Sequence, residues 1–103
     1  MQGYRILELE VLRWAEARGI VPNGKPEIQL LKTMSELGEL ADAVAKNDKE
    51  KIIDGVGDVM VTLILFCALK DIDLVECLEA AFTEIKDRKG KTTAAGLFIK
   101  ETP

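Results

Sequence analysis

Residues 36–58 read ELGELADAVAKNDKEKIIDGVGD, and this stretch carries two acidic pairs on either side of a Lys-Asn-Asp-Lys turn. The pairs are Glu36 with Glu39 and Asp54 with Asp58. Side chains three or four residues apart lie on one face of a helix. The pairs are nearly symmetric about the turn, so a chain reversal there brings Glu36 level with Asp58. The stretch therefore predicts an antiparallel helix hairpin on which four carboxylates converge.

Apolar residues recur at helical spacing on both sides of this hairpin. They predict four helices, over about residues 3–18, 26–46, 49–69 and 73–90. Pro26 and Asp73 are residue types that typically begin helices. Residues 20–25 are predicted to be a loop, and residues 91–103 a C-terminal tail. The expected architecture is a single all-α domain, 1–103, with the antiparallel hairpin at its centre.

The third predicted helix is apolar on nearly every side from Val59 onward, and such a helix must be buried on every side. Three neighbouring helices in a chain of 103 residues can hardly cover it. We therefore predict a homo-oligomer, an oligomeric helical bundle with this helix at the subunit interface. The apolar triplet Leu97–Ile99 indicates that the tail also docks, for example on the partner subunit. We expect no membrane partner, because the run Val59–Leu69 is too short to span a bilayer.

The composition excludes several kinds of chemistry. The chain has no histidine, which removes Ser-His-Asp and Cys-His catalysis and His-ligated zinc or di-iron sites. A net charge of −4 argues against a nucleic-acid partner. Cys67 and Cys77 lie in apolar segments, as is typical of small core residues in a reducing cytosol. The charges throughout Met1–Arg18 are unlike a signal peptide, so we expect a cytoplasmic protein.

Carboxylates that converge between two helices repel one another, so a cation is expected among them. Hard oxygen ligands at these spacings suit Mg²⁺ or Mn²⁺ better than soft metals. Magnesium usually binds a few carboxylates together with substrate phosphates, which makes a nucleotide or another polyphosphate the expected substrate. The alternative is that the four acids are ordinary solvated residues on helix surfaces.

Three glycines, Gly38, Gly55 and Gly57, lie inside the acidic pairs. Each costs about 1 kcal/mol in a helix relative to alanine. Such costs predict a close approach at these positions, either by a ligand or by a neighbouring helix.

Basic residues near the acids are candidates for binding phosphate. Lys32, one turn before Glu36, either meets a phosphate or pairs with Glu36. A second basic group comprises Lys86, Arg88, Lys89 and Lys91. This group either complements the negative end of the last predicted helix or binds phosphate. Trp14 and Phe82 each lie on an apolar stripe and either pack in the core or stack on a base.

Two segments around the acidic pairs resemble a known family. Residues 32–40 read KTMSELGEL and residues 53–59 read IDGVGDV. Both are similar to motifs of the MazG-like nucleotide pyrophosphohydrolases, which are all-α NTP pyrophosphatases. The family pattern is Glu-x-x-Glu, a gap of a dozen or more residues, then Glu-x-x-Asp. The resemblance continues through residues 84–91 and 98–101, and it is greatest to the short, phage-like members.

The resemblance implies a four-helix MazG-like fold and a dimer or tetramer. It also implies Mg²⁺-dependent hydrolysis of a (d)NTP to the monophosphate and pyrophosphate. Gly55 stands where the pattern has its third acid, and Asp54 is the expected substitute because it also shares a face with Asp58. Thr83 stands where many relatives have asparagine, so its hydroxyl is expected to replace the amide toward metal or substrate.

The resemblance and the spacing together give the following assignments. Glu36 and Glu39 are the catalytic candidates, as acceptors of a proton from the attacking water. The substrate-binding candidates are Lys32, Lys86, Arg88 and Thr83, and the metal-ligand candidates are Glu36, Glu39, Asp54 and Asp58. Two alternatives stay open: a degenerate relative that binds nucleotide without hydrolysis, and a non-catalytic helical interaction module.

Overall fold

Residues 1–102, which the computed structural model describes, form five helices and one small β-hairpin. The helices are α1 (Tyr4–Ala17), α2 (Ile20–Asn23), α3 (Pro26–Ala45), α4 (Lys49–Leu69) and α5 (Leu74–Ile85). The strands are β1 (Gly90–Thr92) and β2 (Phe98–Lys100). The predicted all-α class is confirmed, and the predicted bounds of the two central helices agree closely with α3 and α4.

The antiparallel pair α3 and α4 forms the most extensive helix–helix contact of the chain. The chain reverses at Asn47, whose φ of 53° lies in the left-handed region that asparagine tolerates. The Asp48 side chain then begins α4 by accepting a hydrogen bond from the backbone N–H of Lys51, at 3.3 Å. Local residue chemistry therefore produces the predicted hairpin.

A buried polar contact helps to fix how α3 and α4 are aligned along their axes. The hydroxyl oxygens of Thr33 on α3 and Thr62 on α4 lie 2.8 Å apart, and both residues are buried. Glu36 is one turn beyond Thr33, and Asp58 is one turn before Thr62. The hydrogen bond between the threonines therefore helps to hold Glu36 opposite Asp58.

The remaining helices pack around α4. Helices α1 and α2 contact each other and α4. In the described part of the chain, α5 packs against α4 alone, and only over a short length. A two-pronged ion pair ties α5 to α1: Arg5 donates to both carboxylate oxygens of Asp73, at 2.8 and 2.7 Å. Asp73 also caps α5 through the backbone N–H of Val75.

The structure corrects the prediction in several places outside the central pair. Residues 20–25 contain the single turn α2, closed by a 2.7 Å bond from Gly24 N–H to the Ile20 carbonyl, so the helices number five rather than four. Helix α5 ends at Ile85, because the charged residues that follow extend no apolar stripe. Cys67 is buried as predicted, whereas Cys77 is exposed because α5 is so loosely packed.

The C-terminal tail is ordered as a hairpin. β1 and β2 pair antiparallel with Lys91 opposite Ile99, and Gly96 in the connecting turn has a φ of 89°. Over residues 1–102 the hairpin packs against no helix. Leu97, Phe98 and Ile99 are exposed, so the predicted docking of this triplet does not occur within one chain.

Apolar side chains remain exposed on several helices. The exposed fractions are 64% for Met34 on α3, 65% for Ile53 on α4, and 68% for Leu78 on α5. The Cα radius of gyration is 16.5 Å, against about 13 Å for a compact chain of this length. A single chain therefore leaves much of its apolar surface uncovered.

Helix α4 is long and apolar enough to cross a membrane by length and composition, with a mean hydropathy of 2.1 in its most apolar part. The central helix of a helical protein can have the same composition. Asp54 and Asp58 lie in its first half, and α1, α2 and α3 all pack against it.

Replacing Thr62 with valine should lower the free energy of unfolding by about 1 kcal/mol, because the hydrogen bond that joins the two threonines across a buried interface is lost. The double change Thr33→Val with Thr62→Val should cost less than the sum of the two single losses, since either single change already removes this shared bond. Urea unfolding of both single variants and the double variant measures the coupling. Thr62→Ser keeps the hydroxyl and is the control. Strictly additive losses would contradict the contact.

Candidate functional site

A cleft of about 550 Å³ runs along the α3–α4 pair where the acidic residues converge. Its lining residues are Ser35, Gly38, Glu39, Asp42, Ala43, Lys46, Lys51, Asp54, Gly55 and Asp58. Three of the four predicted acids are among them. The fourth, Glu36, is half-buried beside the cleft.

The acids influence one another's ionisation. Partial removal from water raises the pKa of Glu36, and the negative charges of Glu39 and Asp58 raise it further. The pKa of Asp58 is raised in the same way, first by partial burial and then by the charges of Asp54 and Glu39. Lys32 opposes both shifts. The acids of α3 and α4 therefore lie close enough to affect one another's ionisation, with Lys32 as a nearby cation.

The three glycines around the cleft differ in how closely neighbouring atoms approach them. Gly55 is buried, and a Cβ there would lie 3.1 Å from Leu40 Cδ1 and 3.4 Å from Leu40 Cα, so this glycine permits tight helix packing. An acidic side chain at position 55 would have to displace Leu40. A Cβ at Gly38 or Gly57 would meet no other described residue within 4 Å. Gly38 lines the cleft, so its small size widens the space beside Glu39.

Residues 25–93 match the family model described as the MazG nucleotide pyrophosphohydrolase domain. The chain belongs to this family. The matched segment covers more than half of the chain and includes α3, α4, α5 and the whole acidic cleft. Membership agrees with the resemblance of the Glu-x-x-Glu and Asp54–Asp58 segments and with the mainly helical fold.

A curated relative comes from Haemophilus phage HP1 (strain HP1c1), where it is described as an uncharacterized 18.2 kDa protein in the rep-hol intergenic region. It is 40% identical to this chain over 63 residues, which cover 61% of this chain and 39% of the relative. The chain therefore matches less than half the length of that relative. No solved structure matches the chain.

Other residues predicted to serve the MazG-type site lie elsewhere. Thr83 is on the exposed surface of α5, and Lys86 and Arg88 follow the end of that helix. Within residues 1–102, α5 makes no contact with α3, and none of these three side chains lines the cleft. A single chain thus does not bring them to the acids, and their role in substrate binding stays a prediction.

Two lysines that the sequence analysis did not single out lie at the cleft. Lys46 pairs with Asp42, with 3.0 Å between Nζ and Oδ2, and Lys51 lines the cleft from the first turn of α4. Lys46 is seven residues after Glu39, and Lys51 is seven before Asp58, so each shares a helix face with an acid. This spacing was visible in the sequence. The two lysines place positive charge at the end of the cleft nearest the turn between α3 and α4.

The donor set fits Mg²⁺ by type. All four acids offer hard oxygen ligands, and their mutual repulsion favours a bound cation. In the described residues, no three Asp, Glu, Cys or His side chains are arranged as a ready-made metal cage. Mg²⁺ does not require one, since it usually keeps several waters and binds one or two carboxylates together with substrate phosphates. The assignment of Glu36, Glu39, Asp54 and Asp58 as ligands stays a prediction.

Asp58→Asn should stabilise the metal-free protein at pH 7, because it removes a negative charge from a cluster that repels it. The raised pKa of Asp58 means that the folded chain holds this proton more tightly than the unfolded chain does. The destabilisation by Asp58 is therefore fully present above its folded-state pKa and disappears as pH falls below about 4.

Urea unfolding in EDTA at several pH values measures this effect. The gain from Asp58→Asn should shrink steadily toward acid pH. Asp87→Asn, an exposed change outside the cleft, is the control and should show little gain at any pH. A gain from Asp58→Asn that does not depend on pH would contradict the electrostatic explanation.

Proposed function

We propose that this protein is a Mg²⁺-dependent pyrophosphohydrolase that converts a (d)NTP to the nucleoside monophosphate and pyrophosphate, with Mn²⁺ able to replace Mg²⁺. One observation carries the proposal: three of the four predicted acids line a single open cleft, and the pKa values of Glu36 and Asp58 are raised by partial burial and by the charges of neighbouring acids. Surface acids that only solvate the protein have no need to face one another across two helices.

The phosphates would lie in the cleft. Glu36, Glu39, Asp54 and Asp58 would hold the metal. A bound Mg²⁺ offsets phosphate charge and polarises water. Ammonium groups add charge-assisted hydrogen bonds to phosphate oxygens, and their attraction grows as negative charge builds up during phosphoryl transfer. Three cations at or beside the cleft are available to contact the phosphates: Lys32, Lys46 and Lys51.

Hydrolysis requires a water to attack phosphorus and lose a proton, while the bond to the departing pyrophosphate breaks. Glu36 and Glu39 are the candidates to accept that proton. In the metal-free chain, partial burial and the charges of neighbouring acids raise the pKa of Glu36. Glu39 lines the open cleft directly, where an attacking water has access.

Pyrophosphate release from a panel of (d)NTPs, with Mg²⁺ and with EDTA, tests the proposal. Glu39→Gln should lower kcat by about 100-fold or more, because a positioned proton acceptor typically contributes at least that much. Its circular dichroism spectrum should stay unchanged, and its unfolding midpoint should not fall, because the change removes one negative charge from a repelling cluster. Glu79→Gln, an exposed change on α5, is the matched control and should keep full activity. Turnover that survives Glu39→Gln would contradict the assignment.

A binder without hydrolysis is the second candidate. It is favoured by the replacement of the third family acid with Gly55 and by the distance of Thr83 from the cleft. Such a protein would release no pyrophosphate from any nucleotide, yet a magnesium–nucleotide complex would still raise its melting temperature. A non-catalytic helical module would show neither effect.

We infer that the working form is a homo-oligomer, a dimer or a tetramer. The exposed apolar faces of α3, α4 and α5 and the extended shape of the chain support this. Assembly would also offer a route by which the basic segment after α5 in one copy reaches the cleft of another. No membrane or nucleic-acid partner is needed to explain these surfaces.

Light scattering tests the oligomer directly. The native mass should be at least twice the 11.4 kDa of one chain. Met60→Asp should lower the mass, because it places a charge on the exposed apolar part of α4, whereas Glu50→Gln on the same helix should not. A folded 11.4 kDa monomer at micromolar concentration would contradict the inference.

A further inference from the structure

A second hollow of about 380 Å³ lies between α1 and α4 and adjoins the acidic cleft. Its lining residues are Leu7, Glu10, Val11 and Trp14 of α1 and Asp58 and Val61 of α4. We call this hollow the Trp14 groove. Asp58 lines both the groove and the cleft, so the two spaces meet at this residue. The volume lies within the range of about 300–1,000 Å³ that small-molecule sites occupy.

Trp14 is not a core residue of the single chain, so its ring is open to the other role that the sequence allowed, stacking on a base. The residue is 45% exposed. The Arg18 guanidinium lies 4.5 Å from the ring centroid and covers one face of the indole. Arg18 is itself held in place by donating a hydrogen bond to the Trp14 carbonyl at 3.1 Å. A large aromatic ring is therefore fixed in orientation and still offers free surface for stacking.

Glu10 brings a hydrogen-bond acceptor to the same groove. It is four residues before Trp14, so both side chains lie on one face of α1. One oxygen, Oε1, accepts a bond from Gln2 at 3.0 Å. A carboxylate accepts hydrogen bonds and does not donate them, so it suits the exocyclic amino groups of cytosine, adenine and guanine. Thymine and uracil carry a carbonyl oxygen where cytosine carries its amino group.

We propose that the Trp14 groove binds the base of the nucleotide whose phosphates occupy the acidic cleft. Trp14 stacks on the base, and Glu10 favours a base with an exocyclic amino group. The phosphate end of this arrangement rests on the function proposed above. The base end rests on the groove itself and can be tested without hydrolysis.

Trp14 is the only tryptophan of the chain, so emission excited at a wavelength that Tyr4 does not absorb reports on the groove. The probes are α,β-methylene analogues of dCTP, dATP and dTTP, inorganic triphosphate, and the nucleoside deoxycytidine, each with Mg²⁺. The three analogues should change the emission of Trp14, the dCTP and dATP analogues at lower concentration than the dTTP analogue. Triphosphate should compete with them and leave the emission unchanged. Millimolar deoxycytidine should change it without any phosphate.

Variants separate stacking from general effects on the fold. Trp14→Leu should weaken binding of the dCTP analogue on the order of 5- to 150-fold, as loss of one base–aromatic stack does. Calorimetry should show the affinity for triphosphate unchanged, and Trp14→Phe should recover most of the loss. Glu10→Gln should reduce the preference for the dCTP analogue over the dTTP analogue. Glu16→Gln, an exposed change on α1 outside the groove, is the control.

The outcomes distinguish this inference from the proposed function. If no pyrophosphate is released but deoxycytidine changes the fluorescence, the proposed hydrolase activity is contradicted and the base site is supported. If nucleotides bind and Trp14 emission stays unchanged, the base site is contradicted and the proposed hydrolase activity still stands. Emission that depends on protein concentration and ignores every nucleotide and nucleoside would show that a second copy covers the groove, and would also overturn it.

Discussion

The hydrogen bond between Thr33 and Thr62 is the contact on which the geometry of the site depends. Two packed helices can slide past one another with little change in apolar burial, but the hydroxyl oxygens of Thr33 and Thr62 come within 2.8 Å of each other only in the observed alignment. The tight approach of Leu40 to Gly55, farther along the same interface, holds that alignment at a second point. Together they keep Glu36 opposite Asp58, even though the two carboxylates repel each other. Packing and polar contacts thus offset the electrostatic cost of bringing these acids together.

Local sequence features predicted the parts of the structure that form locally. The helix spacing, the left-handed turn at Asn47 and the Asp48 cap each involve neighbours in sequence, so the α3–α4 pair and its acids were foreseeable. The end of α5 was not, because Lys86, Arg88 and Lys89 are residue types that suit a helix, and nothing in the sequence before Gly90 marks a stop. The C-terminal hairpin was not predicted either, because strands of three residues are too short to show a detectable alternation of apolar and polar residues.

The site was predicted in part for the same reasons. The acids follow from spacing, whereas Lys46 and Lys51 resembled ordinary solvated residues of a turn. The basic residues after α5 were expected near the acids because they follow them in family order, but order along a chain does not determine which surfaces meet. Trp14 was undecided between core and ligand contact, since its exposure depends on how α1 lies across α4. These are tertiary questions that residue patterns alone do not answer.

The order of contacts along the chain has a consequence for how the protein folds. Its largest interface joins two consecutive helices through a short turn, and α1, α2 and α5 add to α4 with little long-range crossing. Chains with such local topology close few long loops before gaining contacts, so folding is fast. In the homo-oligomer proposed above, the chain would fold first and cover its open apolar faces afterwards, in a slower, bimolecular step. Protein concentration, rather than the folding barrier, would then set how fast the finished assembly forms.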